Sequence, residues 1–145
     1  MTTRDRVNPE TINTRPLRRP EWIKVRVRSG ESLEQLQDLM RRKTLHTVCE
    51  EAACPNMGEC WGSGTATFLI LGDVCTRACR FCDIKHGRPE SVDWSEPERV
   101  AQAVKVMELQ HAVITSVDRD DLRDGGALIF AAIIRRIHEL HSGCS

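Results

Sequence analysis

The chain has 145 residues, 40% apolar and 29% charged, with a formal net charge of zero. This composition excludes a disordered chain and fits a soluble domain with a real core. Residues 1–28 hold eight Lys/Arg against three Asp/Glu, a net +5, so the remainder carries −5.

A basic head of this kind could meet nucleic acid or an acidic partner, but a solvated, flexible arm is the simpler expectation for residues 1–28. The start has no apolar signal region, and no stretch reaches the roughly twenty apolar residues of a membrane span. Pro9, Pro16 and Pro20 rule out a long amphipathic helix in this Arg-rich start. The expectation is a cytoplasmic protein with no nucleic-acid or membrane partner. In that reducing compartment cysteines are more often ligands or catalysts than disulfides, so seven of them carry chemical weight.

In chain order, "SGESLEQLQDLMRR" (29–42) predicts a short helix, with Ser32 and Gln35 spaced as a capping box and Leu33, Leu36 and Met40 on one face. Residues 44–64 contain Cys49, Cys54, Cys60, Pro55 and three glycines, and read as a loop folded around something. "ATFLILG" (66–72) reads as a strand covered on both faces. The next stretch, "GDVCTRACRFCDIKHG" (72–87), is a loop with three more cysteines. "SEPERVAQAVKVMELQ" (95–110) predicts a helix with Ser95 at its cap, Pro97 in its first turn and Val100, Val104 and Met107 as its buried stripe. "HAVITSV" (111–117) is a second strand, followed by the acidic loop "DRDDLRDGG" (118–126). "ALIFAAIIRRIHELH" (127–141) predicts a helix buried through Phe130, Ile133, Ile134, Ile137 and Leu140.

Strand, helix, strand, helix with apolar strands predicts a right-handed parallel arrangement of the α/β class. A parallel strand wants neighbours on both sides. Two βα units therefore read as the front part of a larger α/β protein. The expected organisation is the arm at 1–28, a cysteine-bearing N-terminal extension at 29–64 and the start of a βα core at 65–145.

The cysteines form two trios, C-x4-C-x5-C and C-x3-C-x2-C. Disulfides are disfavoured by compartment and crowding. Zinc wants four ligands, and each trio is one short, so a zinc site completed by His46 or His86 stays an alternative. A 4Fe–4S cluster held by three thiolates leaves one iron open for a non-protein ligand. A triad in the loop after the first strand puts that iron where parallel α/β folds bind ligands, at the carboxyl ends of the strands.

The C-x3-C-x2-C loop resembles the signature of the radical S-adenosylmethionine (SAM) superfamily. With "LHTVCEEAACPNMGECW" before it and "HAVITSVDRDDLRDGGA" after it, the chain resembles the lipoyl synthase family from about Trp22 to about Leu140. The resemblance implies an incomplete radical-SAM βα barrel of about two units. It also implies that Cys75, Cys79 and Cys82 bind a 4Fe–4S cluster whose open iron chelates S-adenosylmethionine, and that an electron from it yields methionine and a 5′-deoxyadenosyl radical. Cys49, Cys54 and Cys60 would bind an auxiliary 4Fe–4S cluster, the sulfur source for C6 and C8 of an octanoyl chain on a lipoyl-carrier domain.

The carriers so implied are 2-oxoacid dehydrogenase E2 subunits and the glycine-cleavage H protein, with ferredoxin or flavodoxin as electron donor. Phe81 stands where the superfamily places an aromatic near the adenine, with plain packing as its alternative. Thr115, Ser116 and Arg119 are placed to hold the cofactor's carboxylate, and Asp118, Asp120 or Asp121 its ammonium. A solvated acidic turn capping the next helix is the plainer expectation for that loop. Against the family pattern, later βα units and a C-terminal serine ligand are missing, and neither Ser142 nor Ser145 sits in the expected motif. A truncated product or a non-catalytic iron–sulfur or zinc module is thus the competing expectation. Cys144 matches nothing in the pattern.

Overall fold

The computed structural model describes residues 31–145, and the side chains from Leu33 onward. The expected arm at 1–28 lies outside the described residues, as does the Ser32 side chain on which the expected capping box rests. Helix α1, Glu31–Arg42, buries Met40 completely and lays Leu33 and Leu36 against the core. It stops because Thr44 turns left-handed (φ 50°), so that Leu45 N–H reaches Met40 O (2.9 Å) and Thr44 N–H reaches Arg41 O (3.1 Å). That pair of bonds satisfies the last carbonyls and tucks Leu45 into the core.

The stretch expected as a loop is more ordered than that. It contains β1 (His46–Thr47) and two short helices, α2 (Val48–Glu51) and α3 (Met57–Gly62). Thr47 caps α2, its hydroxyl accepting Glu50 N–H at 3.2 Å, while the Glu50 carboxylate lies 3.2 Å from the same hydroxyl. T-V-C-E is a capping signature readable in the sequence; a two-residue strand has no period to read.

β2 (Thr65–Ile70) is the centre of a three-stranded sheet in the order β1-β2-β5. β1 pairs with it antiparallel, His46 opposite Leu69, and β5 (His111–Ser116) pairs with it in parallel, Thr65 opposite His111 through Ile70 opposite Ser116. Ala66, Phe68, Leu69 and Ile70 are buried, whereas Thr65 and Thr67 are half-buried, so cover on the second face is partial. Two-residue strands β3 (Val74–Cys75) and β4 (Lys85–His86) pair separately. The fold is α/β with a mixed sheet; the antiparallel strand was not expected.

Helix α4 (Glu96–Val106) links β2 to β5 and packs against α5 (Ala127–Leu140). Val100, Ala101, Ala103 and Val104 from α4 join Ile129, Ile133 and Ile137 from α5 in the core with Phe68 and Ile70. α4 ends as α1 does: Glu108 is left-handed (φ 50°) and buried Leu109 N–H returns to Val104 O at 3.1 Å. Of the stripe expected on α5, Ile134 is 47% exposed. Asp124 prepares the start of α5 by accepting Gly126 N–H (3.1 Å) and Leu128 N–H (3.0 Å).

β2 and β5 end level, and both following loops leave from the same edge. Leu71 there has φ 68°, a left-handed conformation that strains an L residue. Two buried charges hold it. The Glu96 carboxylate accepts Leu71 N–H at 3.0 Å, and the Arg119 guanidinium donates to Leu71 O at 3.2 Å. Glu96 is 6% exposed and Arg119 4%. Behind them Gly126, at φ 92°, lets the chain pass so close that a Cβ there would stand 2.2 Å from Leu71 Cδ1.

Three expectations for stability follow from this corner. Burial is the largest influence on Glu96 and raises its pKa above 4.5. An acid with a raised native pKa contributes stability that is present below 4.5 and lost as pH rises through the native value. Glu96→Gln keeps an acceptor for Leu71 without a charge to desolvate. In urea melts it should gain on the parent above that window, and the gain should close as pH falls below 4.5. Glu96→Ala leaves the Leu71 N–H orphaned and should lose about 1–3 kcal/mol at every pH. Gly126→Ala adds both a clash and an unfavourable φ, and should lose roughly 2–3 kcal/mol in the same assay.

Candidate metal centre

All seven cysteines are free thiols. The first trio is carried by local structure: Cys49 in α2, Cys54 in the turn and Cys60 in α3. Cys54 N–H returns to Cys49 O at 2.9 Å, and Ala53 takes a left-handed φ of 44° to close that turn. All three are half-buried. Next to Cys60, Trp61 is 4% exposed, and its indole N–H has no acceptor among the described residues.

The second trio sits at the sheet's carboxyl edge. Cys75 lies on β3 opposite His86, with its carbonyl accepting Gly87 N–H at 2.9 Å. Cys79 and Cys82 are exposed on the turn beyond, closed by Cys82 N–H to Cys79 O at 3.1 Å. The Cys75 sulfur accepts two backbone N–H groups, from Arg77 at 3.4 Å and from Asp118 at 3.3 Å. Backbone N–H donors on a cysteine sulfur are a recurring feature of iron–sulfur ligation.

Among the described residues no three His, Cys, Asp or Glu side chains gather at the spacing of a single-ion site. A lone zinc needs every thiolate within about 2.3 Å of one point, whereas a cubane gives each thiolate an iron of its own. Three thiols match a cubane with one iron left open and are one short of a closed zinc site.

Beside the second trio a cleft of about 410 Å³ opens at the end of β5. Among the expected cofactor contacts, Ser116, Asp118, Arg119 and Asp120 line it; Thr115, Asp121 and Phe81 do not. Thr115 is half-buried within β5, opposite Leu69. Among the described residues Phe81 is left out of the core, 94% exposed between the two exposed cysteines.

Arg119 has a role that the sequence did not suggest. Its guanidinium forks onto Asp121 (2.8 and 2.8 Å) and also donates to Leu71 O and to Glu90 O at 3.0 Å. Four internal bonds leave it little capacity for a ligand. The same contact holds the Asp121 carboxyl below the ordinary carboxylate range. Arg77, passed over in the sequence, forks onto Asp120 at 2.8 and 2.7 Å and lowers that carboxyl too. The only hint was its place between Cys75 and Cys79.

Exposure ranks the thiols for chemistry in metal-free protein. Cys79 and Cys82 should react with iodoacetamide first, and the half-buried thiols after them. Cys144, 5% exposed with its pKa pushed up by burial, should react last. Mass spectrometry of a labelling time course reads the order, and early labelling of Cys144 would contradict the packing of the C-terminal residues.

Comparison with known proteins places the sequence. A model of the radical SAM superfamily matches residues 69–144, and one for the N-terminal domain of lipoyl synthase matches residues 4–54. A lipoyl synthase of Flavobacterium johnsoniae is 53% identical over 130 residues, covering 90% of this chain and 45% of the relative. One of Methylococcus capsulatus is 60% identical over 122 residues, 84% of this chain and 38% of the relative. A mitochondrial lipoyl synthase of Nematostella vectensis is 50% identical over 137 residues, 93% and 47% respectively. The chain thus spans less than half the length of the curated relatives it matches. With one model covering more than half of its residues and the other most of the rest, the chain belongs to the radical SAM superfamily and, within it, to the lipoyl synthase family.

Proposed function

We propose that the chain carries the two metal sites of a sulfur-inserting radical enzyme that converts a protein-bound octanoyl chain to a lipoyl group. The observation that carries this is the placement of two separate free-thiol trios, the second at the sheet's carboxyl edge beside a cleft. Cys75, Cys79 and Cys82 would hold the 4Fe–4S cluster that binds S-adenosylmethionine; Cys49, Cys54 and Cys60 would hold the auxiliary cluster that gives up sulfur. When bound, the first cluster supplies the electron for cleavage of S-adenosylmethionine.

The protein's own residues do the rest. Asp118 and Arg77 offer backbone N–H groups to Cys75. Ser116 and Asp118 present a hydroxyl and a carboxylate to the cleft, where the ammonium and carboxylate of an amino acid could be met. Thr115 supports that edge from within β5. Arg119 and Asp121 brace the loop through their mutual ion pair. Phe81, exposed beside the cysteines, is free to lie against a flat purine ring.

The proposal includes an organisation in which residues 29–64 form the auxiliary-cluster extension and 65–145 the opening units of a βα barrel. It also includes a cytoplasmic setting, with octanoylated carrier domains such as E2 subunits and the H protein as substrates and a ferredoxin or flavodoxin as reductant. Among the described residues no helix is long and apolar enough to cross a membrane.

Anaerobic reconstitution with iron and sulfide tests the site assignment directly. The chain should take up about eight irons, and about four after either trio is replaced by alanine. Reductive cleavage of S-adenosylmethionine should disappear with Cys75, Cys79 and Cys82, but persist without Cys49, Cys54 and Cys60. Equal loss of cleavage from both triple variants would show the division of labour to be wrong. Colourless protein holding about one zinc would sink the cluster assignment altogether.

A further inference from the structure

Both hydrogen bonds that reach a sulfur of the second trio, among the described residues, fall on Cys75. One is local, from Arg77 N–H two residues on, and the loop makes it unaided. The other crosses from Asp118, 43 residues away, and exists only if two separate loops are held in register.

The registration is built by Thr76 and Arg77. Thr76 N–H donates to Asp118 O at 3.0 Å, and Asp120 N–H donates to Thr76 Oγ1 at 3.2 Å. The Thr76 hydroxyl stands 3.0 Å from Asp118 O and 3.3 Å from carboxylate oxygens of Asp118 and Asp120. Arg77 forks onto Asp120 and reaches the Asp118 carboxylate at 3.2 Å. Residues 75–77 and 118–120 thus run side by side as a short ladder. Asp118 N–H falls on the Cys75 sulfur as one of its rungs. Arg77 is 60% exposed, so its ion pairs add little to stability and their fixed geometry is what they offer.

We propose that Thr76 and Arg77 are positioning residues that hold the Asp118 N–H on the Cys75 sulfur and thereby raise the reduction potential of the cluster bound there. A donor on a ligating sulfur withdraws charge and favours the reduced, more negative cluster. This inference rests on the assignment of the second trio to a cluster.

The test uses the whole chain with Cys49, Cys54 and Cys60 replaced by alanine, so that one cluster titrates. Thr76→Val removes only the hydroxyl. It should load iron fully, yet show a midpoint potential, followed by electron paramagnetic resonance, shifted to more negative values. Arg77→Gln, a surface change that spares the fold, should shift it the same way by less, and Arg77→Lys should recover part of the shift. In metal-free protein, exchange of the Asp118 amide hydrogen should be about tenfold faster in Thr76→Val, as expected for loss of one ordering bond. Full iron loading with an unchanged midpoint overturns the inference, whether or not the amide exchanges faster. Failure of the parent to load any cluster overturns the assignment beneath it and the inference with it, and iron analysis tells the two failures apart.

Discussion

The fold turns on one strained residue held by two buried charges. At the end of β2 the chain must leave the sheet abruptly, and Leu71 does so in a left-handed conformation that its side chain disfavours. Glu96 from α4 takes its N–H and Arg119 from the loop after β5 takes its carbonyl. Each charge would be costly to bury alone. Each is satisfied by the same residue, and Arg119 is neutralised by Asp121. The strain at Leu71 persists because its surroundings over-determine it. What it achieves is direction: the cysteine loop is aimed across the end of β5, where its partners are.

The two trios draw on different physics. Cys49, Cys54 and Cys60 are placed by capped, short helices whose bonds span only a few residues. Cys75 is placed by long-range contacts between the two loops at the sheet edge. Around the second trio charge and hydrogen bonding are organised; around the first, packing dominates, with Thr47 and Trp61 buried on either side.

Much of this was legible beforehand, and the misses have physical reasons. β2, β5, α4 and α5 are long enough to show their period, and their order followed from it. β1, β3 and β4 are two residues each, and pairing rather than propensity makes them strands. Both α1 and α4 stop on a left-handed Thr44 or Glu108, where a glycine is the usual signal. The six cysteines stood out by spacing alone. Arg119 did not show its role, because a buried arginine with four internal partners looks, in sequence, like any arginine in an acidic loop. Arg77 was hidden by the cysteines around it.

The 43 residues between Cys75 and its remote donor have a bearing on how the protein is made. On the ribosome the first trio emerges with the turn and cap bonds that shape it, among the described residues, only a few positions away, and β2 to pack on follows soon after. The second trio emerges next, but its sulfur is not dressed until α4 has been made and β5 has paired in parallel beside β2. Parallel pairing is among the slower steps of folding, since a long loop must close before any contact repays it. The two trios therefore take shape at different times, the first while the second still waits for its partner loop.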